Sequence, residues 1–261
     1  MNARSMKSVA PATNKLHDLR NIICLYNAQL VAITETWLTA NIDDLGLLPT
    51  RFCIYRKDRH VTVPSKRGGG LLIGIDSTIS SRRRDDLEPP CEIAICEINP
   101  TNAPKLAIIL CYRPPSYDKY VFISHLHDTL FKVHKEYNAV FLLGDFNFPD
   151  INWNSGTCTP IVASSPESDF LQLMNMFFLS QINNVPSNKL NHMLDLLFTN
   201  SNGLVTNVSN SESDYDTDHA VLYFDMHLNL PKKTGPKREV YNYKKTDFNQ
   251  LSLLLNLRFS M

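Results

Sequence analysis

The sequence predicts a domain of the α/β or α+β class, because strand-like and helix-like segments alternate along most of its length. Short apolar runs at 30–34, 106–111 and 139–143 have the length and composition of buried strands. Two segments between them, 14–28 and 120–137, repeat apolar residues at the period of an amphipathic helix. With 43% hydrophobic and 20% charged residues, the chain can bury a substantial core.

Turn and cap signals define further elements. The three glycines at 68–70 predict a turn that leads into a strand at 71–75. Residues 91–98 alternate in the manner of a half-exposed strand. Ser165 as the N-cap and Pro166 as the first helical residue begin a third helix.

Composition changes after residue 230. The stretch 231–245 is rich in Lys, Arg, Pro and Tyr and predicts a linker, and 246 begins a last short helix. We therefore expect one large domain over 1–230 and a linker with a short helix over 231–261.

Charge and cysteine content narrow the class of protein. Lys+Arg and Asp+Glu are both 26, so any contact with nucleic acid must come from local clusters rather than net charge. The six cysteines form no Cys-x-x-Cys pair, which argues against structural zinc. The sequence shows neither a signal peptide nor an apolar stretch long enough to span a bilayer. We expect an intracellular protein, nuclear or cytoplasmic, with no membrane partner.

The tetrapeptide Gly144-Asp145-Phe146-Asn147 directly follows the predicted strand at 139–143. The period-two alternation of a strand places Asp145 and Asn147 on the same side of the chain. A carboxylate and a carboxamide held side by side can orient a water molecule and a phosphate oxygen.

Four more apolar runs end in, or contain, polar groups suited to phosphoester chemistry. These groups are Glu35, the pair Tyr112-Arg113, Asp195 and the pair Asp218-His219. Asp195 lies inside an apolar strand and needs a partner, because burying an unpaired carboxylate is costly. His219 is a candidate partner. An Asp–His pair with further acids and amides indicates a metal-assisted hydrolase.

Five motifs in order carry a resemblance to a known family. They are residues 34–38 (TETWL), 112–115 (YRPP), 144–147 (GDFN), 194–200 (LDLLFTN) and 218–219 (DH). The ordered set resembles the endonuclease domain of non-LTR retrotransposons, a member of the endonuclease/exonuclease/phosphatase superfamily. The resemblance extends from Asn2 to about Asp225. It implies an α/β (α+β) fold in four α-β-β-α layers, with two packed mixed sheets flanked by helices.

The resemblance also implies roles for individual residues. Glu35, Asp218 and Asn2 would bind Mg²⁺, or Mn²⁺, through oxygen ligands. The implied catalytic residues are Asp145 and Asn147 at the attacking water and phosphate, His219 oriented by Asp195, and Tyr112 at the phosphate. Contacts to DNA are expected from Arg113, Arg56, Lys57 and Arg59.

The residues around Asn2 match the family context Asn-Ala-Arg-Ser, but the family has a strand before this point. We therefore expect a truncated first strand, with unpaired backbone groups and a weakly supported Asn2. In the family, a reverse transcriptase follows the nuclease, and the 261 residues contain none. A monomer is expected.

The leading hypothesis is a Mg²⁺-dependent DNA endonuclease that nicks its target for retrotransposition. A phosphatase or another phosphodiesterase on the same scaffold is one alternative. A non-catalytic remnant that at most binds nucleic acid is another, favoured by the expected truncation.

Overall fold

The computed structural model describes most of the predicted domain. The described residues are 1–6, 15–59, 68–101, 103–153, 155–158, 164–184, 192–211 and 217–228. They all lie within the unit Met1–Pro231. The predicted linker and short helix over 231–261 lie outside the described residues, as does residue 14, where the first helix was predicted to begin.

Three α-helices are described, and all three were predicted. They are α1 (Lys15–Leu25), α2 (Lys119–Val133) and α3 (Pro166–Met176). The start of α3 confirms the cap prediction, since the Ser165 hydroxyl accepts a hydrogen bond from the Ser168 N–H at 3.1 Å and Pro166 follows it. None of the helices in the described ranges is long and apolar enough to cross a membrane.

Thirteen strands are described within the same ranges. They are β1 (Leu30–Thr34), β2 (Phe52–Lys57), β3 (Leu71–Asp76), β4 (Ser81–Arg83), β5 (Ile93–Ile98), β6 (Leu106–Tyr112), β7 (Ala139–Asp145), β8 (Ile151–Asn152), β9 (Thr157–Cys158), β10 (Ser180–Gln181), β11 (Asp195–Thr199), β12 (Val205–Ser211) and β13 (Val221–Met226).

The strands form two main sheets and two small ribbons. A six-stranded sheet has the order β10-β11-β7-β6-β5-β4, and a three-stranded antiparallel sheet has the order β1-β3-β2. The larger sheet is mixed, because β6 and β7 run parallel while its other neighbours are antiparallel. Helix α2 lies between β6 and β7 in the chain and supplies the crossover that a parallel pair requires. The ribbons are β12-β13 and β8-β9.

Three apolar clusters separate four layers. One cluster lies between the sheets and contains residues of β3, β5, β6, β7 and β11. A second joins the other face of the six-stranded sheet to α2 and α3, and a third joins α1 to the three-stranded sheet. Even-numbered residues of β6 lie in the first cluster and odd-numbered ones in the second, as strand alternation requires. This arrangement is the predicted α-β-β-α sandwich.

Two local expectations need correction. Residues of β5 were expected to be half exposed, but all six are buried, because both faces of their sheet are covered. Even Glu97 is buried there, where it accepts hydrogen bonds from Arg82 and the Tyr137 hydroxyl. Strand β2, which carries Arg56 and Lys57, was not predicted as a strand.

The first residues of the chain lie along β1. The Thr34 N–H donates to the Met1 carbonyl at 3.0 Å, and the Ala3 N–H donates to the Thr34 carbonyl at 2.9 Å. Asn2 and Thr34 thereby form a single parallel bridge. Towards Leu30, at the opposite end of β1, a cavity of about 580 Å³ opens between β1 and β13.

Candidate active site

Three neighbouring strands of the six-stranded sheet bring polar side chains to one edge. Tyr112 at the end of β6 is the partner of Asp145 at the end of β7, and Asp145 is the partner of Asp195 at the start of β11. By strand alternation, each of these residues is on the face of its strand that points between the two sheets. The three side chains therefore lie side by side between the two sheets.

Asp145 is nearly inaccessible, with 1% of its surface exposed. Its Oδ2 accepts a hydrogen bond from Asn2 Nδ2 at 2.9 Å, while Oδ1 has no hydrogen-bond partner among the described residues. Burial, with the nearby charge of Asp195, raises the pKa of Asp145 to about 7. A carboxylate with a pKa near neutrality is suited to accept a proton.

Gly144 makes the close approach of β6 and β7 possible just before this acid. It has φ +145°, and a Cβ at this position would lie 1.9 Å from the Cys111 carbonyl oxygen. A residue with a side chain would therefore push the two strands apart where they position Tyr112 and Asp145.

His219 and Asp195 form a hydrogen-bonded pair, with Nδ1 of His219 2.6 Å from Asp195 Oδ2. Only 10% of the His219 side chain is exposed. Burial by itself lowers the pKa of His219, but the hydrogen bond and charge of Asp195 outweigh burial and raise that pKa to about 8. The pair therefore favours a charged imidazole whose Nε2 remains directed to the site.

Glu35 is held at both carboxylate oxygens. The Tyr112 hydroxyl donates a hydrogen bond to Oε1, and Trp37 Nε1 donates to Oε2 at 3.3 Å. Burial and the bond to Glu35 raise the pKa of Tyr112, so the phenol stays protonated at neutral pH. Trp37 was part of a quoted motif, but no function was predicted for it.

Asp218 is partly exposed and forms an ion pair with Arg4 at 3.0 Å. Its Oδ1 lies 4.0 Å from His219 Nε2. The Thr217 hydroxyl donates to the Asn2 carbonyl at 3.2 Å, which joins the segment before β13 to the first residues of the chain. Sequence reasoning missed Arg4, although it lies in the motif that identified Asn2.

Asn147 lies just beyond β7 with a left-handed φ of +53°. Its Nδ2 donates to the Arg113 carbonyl at 2.8 Å, which fixes the amide beside the end of β6. Asparagine tolerates this conformation better than most residues. The chain thus turns directly after the two residues that the strand alternation predicted to lie together.

Arg113, which was predicted to contact DNA, is buried, with 1% of the residue exposed. The guanidinium donates to the carbonyls of Phe146, Asn147 and Tyr117, and it lies 4.8 Å from the centre of the Phe148 ring. Arg113 therefore ties together the loops after β6 and β7, and its contact with DNA stays a prediction.

Arg56 and Lys57 are also engaged within the protein. Arg56 pairs with Asp44 at 2.6 Å and with Asp58. Lys57 Nζ donates to the Pro89 and Ile93 carbonyls, so neither side chain presents an unpaired charge to DNA. Their predicted contacts with the DNA backbone stay a prediction.

Arg59, the fourth predicted DNA contact, pairs with Glu92 beside the active site. Its guanidinium carbon lies 5.8 Å from the centre of the Tyr112 ring. Arg59 thus borders the site.

The donor set fits a divalent cation. Asp145, Asp195 and His219 each offer a ligand atom, and these atoms lie within 4.8 Å of one another. The unpartnered Asp145 Oδ1 is a further sign that a charged group can be accommodated here. Carboxylate-rich sites suit hard cations such as Mg²⁺ and Mn²⁺.

The fold is that of the endonuclease/exonuclease/phosphatase class of proteins, as the ordered motifs predicted. Residues 106–223 match the family model described as endonuclease-reverse transcriptase. Together these matches confirm the resemblance to the endonuclease domain of non-LTR retrotransposons. No curated protein sequence matches the chain.

Solved structures of this class superimpose over most of the chain. The endonuclease domain of TRAS1, a telomere-specific non-LTR retrotransposon, has a TM-score of 0.65 and 14% identity, covering 88% of this chain and 96% of that one. The AP endonuclease LMAP from Leishmania major has a TM-score of 0.65 and 13% identity, covering 87% and 86%. The 3'-5' exonuclease NExo from Neisseria meningitidis has a TM-score of 0.64 and 14% identity, covering 86% and 97%.

Proposed function

We propose that this chain is a metal-dependent DNA endonuclease. The observation that carries the proposal is that Asp145, whose pKa is near neutrality, lies next to the charged His219 at one buried edge. Hydrolysis of a phosphodiester is promoted by a base that takes a proton from water and by a positive charge beside the phosphate, and these two side chains supply both. The family match over 106–223 favours an endonuclease over a phosphatase on the same scaffold.

In the proposed reaction, a water oxygen attacks phosphorus and one P–O ester bond breaks. Asp145 accepts a proton from this water, and Asn147 helps to orient the water molecule. Nε2 of the charged His219 donates a hydrogen bond to a phosphoryl oxygen as negative charge develops there. The leaving oxygen takes its proton from solvent, so atoms and charge balance.

Asp195 acts through His219. Its carboxylate accepts the Nδ1 hydrogen at 2.6 Å, fixes the orientation of the ring and favours the charged form. Asn2 acts through Asp145 in a similar way. Its amide donates to one carboxylate oxygen of Asp145 and leaves the other oxygen for the attacking water.

The proposed metal ligands are Glu35, Asp218 and Asn2. Asp145 and His219 are not assigned to the cation, because Asp145 accepts the proton of water and a charged imidazole has no free lone pair. A bound Mg²⁺ or Mn²⁺ would supply Lewis-acid stabilisation of charge on the phosphate. Tyr112 holds one oxygen of Glu35 by a hydrogen bond and keeps the carboxylate in place.

The test is a nicking assay on supercoiled plasmid with Mg²⁺, with Mn²⁺ and with excess EDTA. The proposal predicts open-circular product with either cation and none in EDTA. Glu35→Gln should raise the Mg²⁺ concentration needed for half-maximal rate, whereas Glu136→Gln on the opposite side of the six-stranded sheet should not. Full activity in EDTA would disprove the metal dependence. DNA binding without any nicking would instead indicate a non-catalytic nucleic-acid-binding protein.

A further inference from the structure

The segment Glu35–Trp37 has an uncommon backbone. Glu35 and Trp37 both have φ of +53°, a left-handed conformation that residues with side chains seldom adopt. The Trp37 N–H donates to the Gly69 carbonyl at 2.9 Å, and the Thr36 N–H donates to the Gly70 carbonyl at 3.2 Å. Two such residues within three positions indicate a local geometry that the surrounding structure enforces, which is typical of functional sites.

The result of this backbone is an aromatic ring presented to solvent beside the active-site acid. Trp37 is 37% exposed, while its Nε1 donates to Glu35 Oε2 at 3.3 Å. Gly68 allows the indole to lie against the glycine turn, since a Cβ at that position would be 3.3 Å from Nε1. Large aromatic side chains are usually buried, so an exposed indole beside the active-site acid indicates a place where a ligand can bind.

The other tryptophan has a different environment. The chain contains two tryptophans, and Trp153 packs against Phe170 and Phe198 in the cluster beneath the helices. Its ring contacts are fully explained by that core. Trp37, by contrast, belongs to none of the three apolar clusters formed by the described residues.

We propose that Trp37 stacks on a nucleobase of the DNA next to the phosphate that is cleaved. This inference rests on the proposed function and adds the contact that positions the substrate. Stacking on an indole does not depend on which base is present, because every base has a flat π face. The hydrogen bond to Glu35 couples the ring to the proposed metal ligand, so bound DNA and bound cation would each alter the environment of Trp37.

Tryptophan fluorescence tests the proposal directly. The Trp153→Phe variant leaves Trp37 as the single tryptophan, and its emission is followed while a short duplex is added in EDTA, where no cleavage occurs. The expected result is saturable quenching by DNA, and a separate change in emission when Mg²⁺ is added without DNA. Unchanged emission at DNA concentrations that saturate binding would overturn the proposal.

Variants at position 37 separate stacking from the hydrogen bond. Trp37→Ala should weaken DNA binding by roughly 5- to 150-fold, the range for loss of one stacked base. Trp37→Phe should retain most of the DNA affinity, because its ring still stacks, yet it should weaken Mg²⁺ binding, because it cannot donate to Glu35. Phe178→Ala removes an aromatic side chain that is 81% exposed, at the end of α3, and should change neither affinity.

The outcomes also distinguish this inference from the proposed function. Metal-dependent nicking with no response of Trp37 to DNA would leave the endonuclease intact and reject the stacking role. Quenching by DNA in a protein that never nicks would support the stacking contact and reject the endonuclease. Equal DNA affinity of Trp37→Ala and the unchanged protein would reject the inference in either case.

Discussion

Asp145 and Asp195 are direct partners across β7 and β11, and both carboxylates are buried at the same edge. Two buried carboxyl groups that lie next to each other resist simultaneous ionisation. His219 pairs with Asp195, while burial and the charge of Asp195 raise the pKa of Asp145. The pairing therefore assigns different roles to two otherwise equivalent carboxylates.

Replacing Asp145 by Asn should stabilise the metal-free protein at pH 8. The pKa of about 7 in the folded protein lies above the ordinary value of 3.8, so the folded state binds this proton more tightly. Stability therefore falls as pH rises between these two values, and ionised Asp145 is unfavourable above them. Thermal melting in EDTA at pH 4 and pH 8 should show a larger gain for Asp145→Asn at pH 8.

The matched control is Asp150→Asn, which removes an exposed acid from the turn after β7. It should show no comparable pH-dependent gain. A melting temperature of Asp145→Asn at pH 8 equal to or below that of the unchanged protein would mean that burial of this carboxylate is not costly.

The Asp195–His219 pair predicts the alkaline limit of activity. The folded pKa of His219, about 8, lies above its ordinary value of 6.5, so the pair stabilises the protein fully below pH 6.5 and the stabilisation is lost as pH rises through 8. Cleavage that needs the charged ring should decline over the same range. Asp195→Asn should shift this decline to lower pH in single-turnover rate profiles.

Asp225→Asn is the control for that profile, because Asp225 lies in β13 and contacts Asn207 away from the site. Its profile should overlie that of the unchanged protein. An unchanged alkaline limit in Asp195→Asn would show that His219 is not the group that titrates.

Sequence reasoning predicted those parts of the molecule that depend on local pattern. The buried strands before Glu35 and Asp145 are uninterrupted apolar runs, and α3 begins at an unambiguous Ser-Pro cap. The partnership of Asp195 with His219 followed from the cost of burying an acid. Its geometry, with the two residues 2.6 Å apart, could not be derived from the separation of 24 positions in sequence.

Sequence reasoning could not predict which charged side chains are engaged within the protein, because charge was taken to mean exposure. Arg113 looked like a phosphate contact, but its donors satisfy buried carbonyls that no pattern reveals. Strand β2 carries Arg56 and Lys57, whose acidic or carbonyl partners come from distant segments. Such pairings arise only when the sheets have packed, so a sequence read in short windows cannot contain them.

Arg113→Ala should lower thermal stability rather than DNA affinity alone. Each buried carbonyl that loses its donor costs about 1–3 kcal/mol, and each 1 kcal/mol lowers the melting temperature of a domain of this size by about 2–4 °C. A loss of several degrees is expected. Lys135→Ala, which removes an exposed cation over the Phe131 ring, should have little effect. Weaker DNA binding with an unchanged melting temperature would instead show that Arg113 contacts DNA.

The cavity between β1 and β13 should accept an extended strand. Met1 already pairs with the edge of β1, and the cavity is lined by Leu30 and by the consecutive residues 222–226 of β13. Adding six alternating apolar and polar β-prone residues before Met1 should raise the melting temperature, because the new backbone can hydrogen-bond to the strand edge. A Gly-Ser extension of equal length is the control. Equal melting temperatures for the two extensions would show that the cavity does not accept a strand.

The central claim is that Asp145 and His219 carry out cleavage of DNA. The most direct measurement is the Mg²⁺-dependent nicking rate of Asp145→Asn and His219→Ala beside the unchanged protein, with folding verified by melting. Removing a proton acceptor or a charge-stabilising group should reduce the rate by roughly 10²–10⁴-fold while the fold is retained. Nicking at the unchanged rate in either folded variant would contradict the assignment of this site.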